Sequence, residues 1–212
     1  MTESFKLEKI TLREEIKNIL SDAIMNGEIK QGERLVESKI AKKYGVSQAP
    51  VRDAISDLEQ MGIVIRIPYK GTYVKEILEQ DLKNVYQVRT ALEELAIKLT
   101  IPNLSLDKIL ILEDIYDQML HASDKGDVKA QILLDMKFHE FIVNSSGNDI
   151  LKKSWRDLCP PYWTFFGAHL SHMDKIEIAT RHELLIQALR NKDEHTAVNL
   201  MKEHLQFYIS KG

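Results

Sequence analysis

The chain has 212 residues, 44% of them apolar, with 29 Lys+Arg against 32 Asp+Glu and a formal net charge of −3. That length holds one large domain or two modest ones. The longest apolar runs, such as Ile109 to Leu112, are far too short to span a bilayer, so no membrane association is expected. Met1-Thr2-Glu3-Ser4-Phe5-Lys6 lacks the basic start and apolar stretch of a signal peptide, and the lone Cys159 forms no intrachain disulfide; a cytoplasmic location is expected. Residues 1–77 carry 13 Lys+Arg and 12 Asp+Glu, and the rest carry 16 against 20. A weakly basic head on an acidic body is compatible with a nucleic-acid-binding module joined to a domain of another kind.

Residues 12–26 place Leu12, Ile16, Ile19, Leu20, Ala23 and Ile24 at helical spacing. Gly27 and Gly32 break the chain, 37–44 form a short helix, and Gly45 stops it. Ser47 is the expected N-cap of a third helix, with Pro50 in its first turn, Val51, Ile55 and Leu58 inward, and Gly62 at its end. The period then changes. Ile63 to Ile67 and Thr72-Tyr73-Val74 are β-branched, and Pro68-Tyr69-Lys70-Gly71 between them is turn chemistry, which predicts a hairpin. Three helices and a hairpin give a winged helix-turn-helix over residues 1–77.

Such a motif lays its second recognition element, here the helix starting at Ser47, in the DNA major groove. Its exposed early positions are Ser47, Gln48, Ala49, Arg52 and Asp53. Arg52 suits guanine or a phosphate, Gln48 suits adenine, and Ser47 at a helix N-terminus suits a phosphate oxygen. Lys42 and Lys43 suit the DNA backbone, and Lys70 with Gly71 at the wing suits the minor groove. The alternative is a packing unit of the same shape with a solvated lysine face.

The stretch from Gly32 to Val74 resembles the N-terminal domain of the GntR family of bacterial repressors. Gly32, Leu35, Ala41, Gly45, Val46, Ser47, Pro50, Val51, Arg52, Ala54, Leu58, Gly62 and Gly71 carry the likeness. The resemblance implies binding to double-stranded operator DNA through Ser47, Arg52 and the wing. Gln48 and Ser38 stand where the family usually places arginines, which implies an altered base preference.

From Glu79 onward only helices are predicted: 79–99, one capped by Ser105 and ending near Lys125-Gly126, one capped by Asp127 and ending at 145–147, then 148–158 up to Pro160-Pro161, a short aromatic helix over 162–172, 174–190, and 193–210 after the turn at Asn191-Lys192. The short loops predict an all-α antiparallel bundle over residues 78–212, and the whole chain is mainly α. Asp135 and His139, four apart, share one helical face beside Leu134, Phe138 and Ile142. His182 and His204 flank the Asn191-Lys192 turn at similar distances, so antiparallel packing brings them opposite each other. Convergence of the four would suit a divalent transition metal such as Zn²⁺, Ni²⁺ or Mn²⁺. The alternative is a set of separate core histidines, each satisfied by a hydrogen bond. Arg89 has the chemistry to clamp an effector carboxylate, or to pair at the surface with Glu93 at i+4. Tyr162, Trp163, Phe165 and Phe166 suit a cavity wall or plain core, and His169 is a further pocket candidate.

This half resembles the FCD-type effector domain of FadR-like GntR regulators. Arg89 with Leu92-Glu93 is similar to its first helix. Asp135, Phe138, His139 and Gly147-Asn148 match its D-x-x-F-H…N segment, and His182 and His204 with Ala188, Asp193 and Ala197 match its last helix pair. The resemblance implies a metal held by Asp135, His139, His182 and His204. The leading reading is a regulator rather than an enzyme, answering to a small organic-acid effector with Arg89, Asn148 and His169 as its candidate contacts, and a homodimer follows from two heads reading two half-sites. Two other readings are a metal-dependent bundle enzyme and a pure metal sensor. None of the seven histidines has Glu three residues before it, and there is no His-Glu-x-x-His, glycine-rich phosphate loop or Gly-x-Ser-x-Gly.

Overall fold

A computed structural model of the chain describes residues 11–158, 163–164 and 175–210. They fall into two compact units, Met1–Glu76 and Ile77–Gly212. Among the described residues no helix is long and apolar enough to cross a membrane.

In the first unit α1 spans Leu12–Met25. Thr11 caps it in a reciprocal box with Glu14, each side chain taking the other's backbone N–H. Its buried Ile16, Leu20, Ala23 and Ile24 pack against α3 (Gln48–Gln60), which presents Val51, Ala54, Ile55 and Leu58, all fully buried. Arg13 grips the Asp57 carboxylate with two nitrogens and fixes the same helix pair from outside. Between them α2 (Glu37–Tyr44) ends where Gly45 takes a left-handed φ of 68°.

The wing has one more strand than the sequence announced. Strands β2 (Val64–Ile67) and β3 (Gly71–Val74) form the expected hairpin, in register Val64↔Val74 to Ile67↔Gly71. Two residues before α2, Arg34–Leu35 form β1, which pairs antiparallel with β3, so the sheet order is β1-β3-β2. Leu35 and Val74 are buried and tie the sheet to the helices. The tip is Pro68-Tyr69-Lys70, where Tyr69 takes φ 63° and stands fully exposed.

Gly71 is the first residue of β3 rather than the tip. It holds φ 113°, and a Cβ there would meet the Arg34 guanidinium at 2.9 Å. Only glycine takes that conformation without strain. Gly71→Ala is therefore expected to cost about 1–3 kcal/mol, by the usual scale for a strained backbone position. Calorimetry of the full chain would show the head melting earlier and the body unchanged. A head transition at the wild-type temperature would remove strain as the reason for this glycine.

The second unit is helical throughout its described part: α4 (Glu79–Thr100), a short turn of 3₁₀ helix (Ile101–Asn103), α5 (Leu106–Asp124), α6 (Val128–Ser145), α7 (Asp149–Leu158), α8 (Lys175–Arg190) and α9 (Glu194–Ser210). Asp127 caps α6 by accepting the Ala130 N–H at 3.0 Å, and Asp193 caps α9 by accepting that of Thr196 at 3.1 Å. Ser105, like Ser47, stands at its N-cap in extended backbone without a side-chain cap bond. Helix α4 packs on α9, α6 and α7, while α5 packs on α6 and α8. Tyr86, Ile97, Leu112, Met119, Phe138, Leu189, Met201 and Leu205 fill the interior. Most of the short aromatic helix expected over 162–172, and Cys159 before it, lie outside the described residues. Of that stretch Trp163 and Thr164 are described, and both are buried.

Candidate functional site: a DNA-reading head and a buried Asp/His cluster

In the head, Lys42, Lys43, Ser47, Gln48, Ala49, Arg52 and Lys70 are all exposed. The first turn of α3 carries no acidic residue, so its positive dipole end is not neutralised within that turn. The Ser47 hydroxyl makes no cap bond and remains available to another acceptor or donor. Arg52 is 59% exposed, and its Nε donates to Glu37 Oε2 on α2 at 3.0 Å. That single contact steadies the guanidinium while leaving both terminal amino groups for a bidentate partner. Lys43 Nζ lies 5.1 Å above the Tyr44 ring. Sequence reasoning did not single out Arg34 or Tyr69. Arg34 lies over Gly71 beside the wing turn, through a β1–β3 pairing that no local pattern reveals, and Tyr69, within the expected turn, is its most exposed side chain.

In the helical unit the four expected ligands come together. Asp135 and His139 enter from α6, His182 from α8 and His204 from α9, with exposures of 1, 0, 0 and 5%. One donor atom from each lies within 4.8 Å of the others. Asp135 Oδ1 is 3.3 Å from His182 Nε2, 3.7 Å from His139 Nε2 and 3.8 Å from His204 Nε2. The rings of His182 and His204 are 4.5 Å apart, as antiparallel α8 and α9 require, and Phe138 packs edge-on against His182 at 4.6 Å.

The contacts behind the donors orient them. His182 Nδ1 donates to the Ala179 carbonyl at 3.1 Å, which turns its Nε2 inward with a lone pair. His139 Nδ1 donates to Glu93 Oε2, which does the same for His139. The Nε2 atoms of His139 and His204 face each other at 3.2 Å. Either one of them carries a proton for the other, or both lone pairs converge on a shared cation. Asp135 Oδ1, Asp135 Oδ2 and His182 Nε2 are buried without a hydrogen-bond partner: His182 Nε2 is 3.3 Å from Asp135 Oδ1, and the Nε2 atoms of His139 and His204 lie farther off, at 3.7 and 3.8 Å. Buried polar atoms are ordinarily satisfied. Orphans that converge with neutral nitrogens and an anion are what a transition metal uses.

Protonation supports the same fit at Asp135 and His204 and opposes it at His139, whose proton a metal ion would have to displace. Burial alone would raise the Asp135 carboxyl, but positive charge at His139 and polar contact from the three imidazoles hold it well below the carboxylate range. Burial, then the proximity of His182, pushes His204 down to about 3, so it is neutral. Burial also opposes charge on Glu93, yet His139 and then Arg89 bring it down to about 2. Burial disfavours the His139 cation, and Glu93 outweighs it, leaving His139 raised.

Arg89 is 2% exposed. It does pair with Glu93, at 2.7 Å, but in the core rather than at the surface, and its second nitrogen donates to Thr164 Oγ1 at 3.1 Å. Asn148 Oδ1 accepts the Leu151 N–H at 3.0 Å and caps α7. His169 lies outside the described residues. Sequence reasoning did not single out Glu93, Trp155 or Thr164 as part of this site. Glu93 is visible in the sequence only as the i+4 partner of Arg89, since His139 is 46 residues away on another helix.

Two families match the chain: the bacterial regulatory proteins of the gntR family over residues 12–74, and the FCD domain over residues 84–207. An uncharacterized HTH-type transcriptional regulator of Bacillus subtilis, YdhC, is 34% identical over 152 residues, covering 71% of this chain and 68% of that protein. The gluconate operon transcriptional repressor of the same organism is 31% identical over 192 residues, covering 85% of this chain and 76% of its own. Among solved structures, McbR/YncC of Escherichia coli superposes with a TM-score of 0.76 at 25% identity, covering 93% of this chain and 95% of that one. Matched across its winged head and its helical body, the chain belongs to the GntR family of bacterial regulatory proteins, a DNA-binding transcriptional regulator with an FCD domain.

Proposed function

We propose that the protein is a repressor whose operator binding is controlled by a small organic acid acting at a divalent transition metal in the helical unit. The observation that carries this reading is the convergence of orphaned Asp135 oxygens and His182 Nε2 with two more imidazoles in a closed interior. Asp135, His139, His182 and His204 would hold the ion, and Zn²⁺, Ni²⁺ or Mn²⁺ suits their mixed nitrogen and oxygen donors. A carboxylate effector then needs an ion with more than four positions. Four protein donors leave two in an octahedral shell and none in a tetrahedral one. This favours a six-coordinate ion for the effector reading, and it keeps the pure metal sensor as the second reading if the ion is tetrahedral Zn²⁺.

In the head, Ser47, Gln48, Ala49 and Arg52 read the major groove, Lys42 and Lys43 hold the backbone, and Lys70 at the tip serves the wing contact, with Gly71 beside it setting the turn. Two heads in a homodimer would read two half-sites. An exposed apolar row on α4, with Val88 50% and Leu95 42% exposed and Ala91 between them, supports self-association. One relative is named for the gluconate operon, and gluconate is a hydroxy acid of the kind that chelates a metal with open positions. Such a ligand controls DNA binding only through different affinity for two placements of the heads.

The test is a gel shift on the protein's own promoter fragment with chelator-stripped protein, reloaded with Ni²⁺, Mn²⁺ or Zn²⁺, with and without gluconate and other small organic acids. The proposal expects an acid to change DNA affinity only in the loaded protein. An ion that changes affinity alone, with every acid inert, would replace it by the metal sensor. Turnover of an acid by protein that shifts no promoter DNA would replace it by an enzyme.

A further inference from the structure

Behind the four donors stands a fifth charged group. Glu93 on α4 is 1% exposed, and its two oxygens are shared among three donors. Oε2 accepts from His139 Nδ1, while Oε1 accepts from Arg89 Nε at 2.7 Å and from Trp155 Nε1 at 2.8 Å. One carboxylate therefore ties together α4, α6 and α7. Through Arg89 it also reaches Thr164, whose hydroxyl lies 2.9 Å from Met136 Sδ on α6. A plain buried Arg–Glu pair needs neither the histidine nor the indole. Here the carboxylate lies on the side of the His139 ring opposite the Asp135 cluster, the place from which a hydrogen bond fixes a ligating imidazole.

We infer that Glu93 is the positioning residue of the cluster, holding the Nδ1 proton of His139 so that Nε2 faces Asp135, His182 and His204, and reporting occupancy of the cluster to Trp155. The inference rests on the metal reading above for its second half only. The orientation of His139 is a property of the metal-free chain.

The chain has two tryptophans, so Trp163→Phe leaves Trp155 as the single tryptophan, read by excitation at the red edge where the seven tyrosines do not absorb. In that background, chelator-stripped protein is titrated with Ni²⁺ alone. Glu93→Gln is expected to weaken Ni²⁺ binding by about 10–100-fold, the usual effect of losing a carboxylate behind a metal-bound histidine. The change in Trp155 emission on Ni²⁺ addition is expected in the parent and absent in the Glu93→Gln variant. The double variant Arg89→Gln/Glu93→Gln, which removes the buried Arg89 charge together with that of its partner, should show the same weakening and guards against a folding defect. In the metal-free protein in alkaline buffer, nitrogen NMR is expected to find the His139 proton on Nδ1, and on Nε2 in a Glu93→Ala variant. Variants that bind Ni²⁺ like the parent and keep the same tautomer overturn the inference. A parent that binds no Ni²⁺ but shows the tautomer switch overturns the metal reading and leaves the positioning role of Glu93 standing.

Discussion

Arg52→Ala is expected to lower affinity for the operator by roughly a hundredfold or more while leaving both units folded. Arg52 leans on Glu37 through Nε alone, so its terminal amino groups project from α3 as a pre-set fork. A well-placed bidentate contact of this kind is worth about 1–3 kcal/mol, and the proposed dimer on two half-sites would lose it twice. Fluorescence anisotropy with the promoter fragment and an unrelated duplex, at two salt concentrations, separates the roles. Loss confined to the promoter fragment assigns Arg52 to a base. Equal loss on both duplexes, with a salt slope shallower by about one per protomer, assigns it to a phosphate. Unchanged affinity on both would remove α3 as the reading helix. Little else in α3 can compensate: Gln48 and Ala49 are exposed but carry no charge, and Asp53 carries the wrong one.

What the sequence made legible follows from how local each signal is. The helices of the head announce themselves through apolar spacing and through Gly45 and Gly62. The hairpin is visible because its period differs from theirs. Strand β1 has only two residues, Arg34 and Leu35, so there is no alternation to detect; it exists because β3 offers it an edge. Gly71 reads in the sequence as a turn residue made for DNA approach, and its neighbour is Arg34 of the same chain. In the body, Asp135 and His139 are readable as one helical face, and His182 with His204 as a pair across a turn. Both readings use only helix geometry and a short loop. Arg89 and Glu93 are equally readable as an i+4 pair, but not their burial or the third and fourth members, His139 and Trp155. Those contacts arise from three helices packing at once, which no spacing along one helix encodes. Asn148 illustrates the converse: its place in a family pattern suggests a ligand contact, while its local chemistry suits the cap it forms for α7.

The second large effect concerns the Asp/His cluster. Adding Ni²⁺ or Mn²⁺ to chelator-stripped wild-type protein is expected to raise the melting temperature of the helical unit by on the order of 10 °C. A ligand at about a thousand times its dissociation constant stabilises by about 4 kcal/mol, and each kcal/mol shifts a domain of this size by several degrees. His182→Gln combined with His204→Gln should abolish that shift and remove bound metal in elemental analysis. Gln keeps much of the side-chain volume, so the comparison is between shifts and not between absolute stabilities; Phe138 loses its ring contact with His182 in either state. Asp135→Asn is the sharper control. It is nearly isosteric and removes only the anion. If the cluster were a self-sufficient polar core, this change would relieve a buried charge whose oxygens have no hydrogen-bond partner, and stability would rise with no loss of metal response. If the cluster is built around a cation, the same change must weaken metal binding, because no other carboxylate touches the inner side of the three imidazoles among the described residues. Glu93 cannot substitute, since it already engages His139, Arg89 and Trp155 on the outer side. Metal content unchanged in all these variants would place the ion elsewhere and leave the orphaned atoms of Asp135 without a purpose.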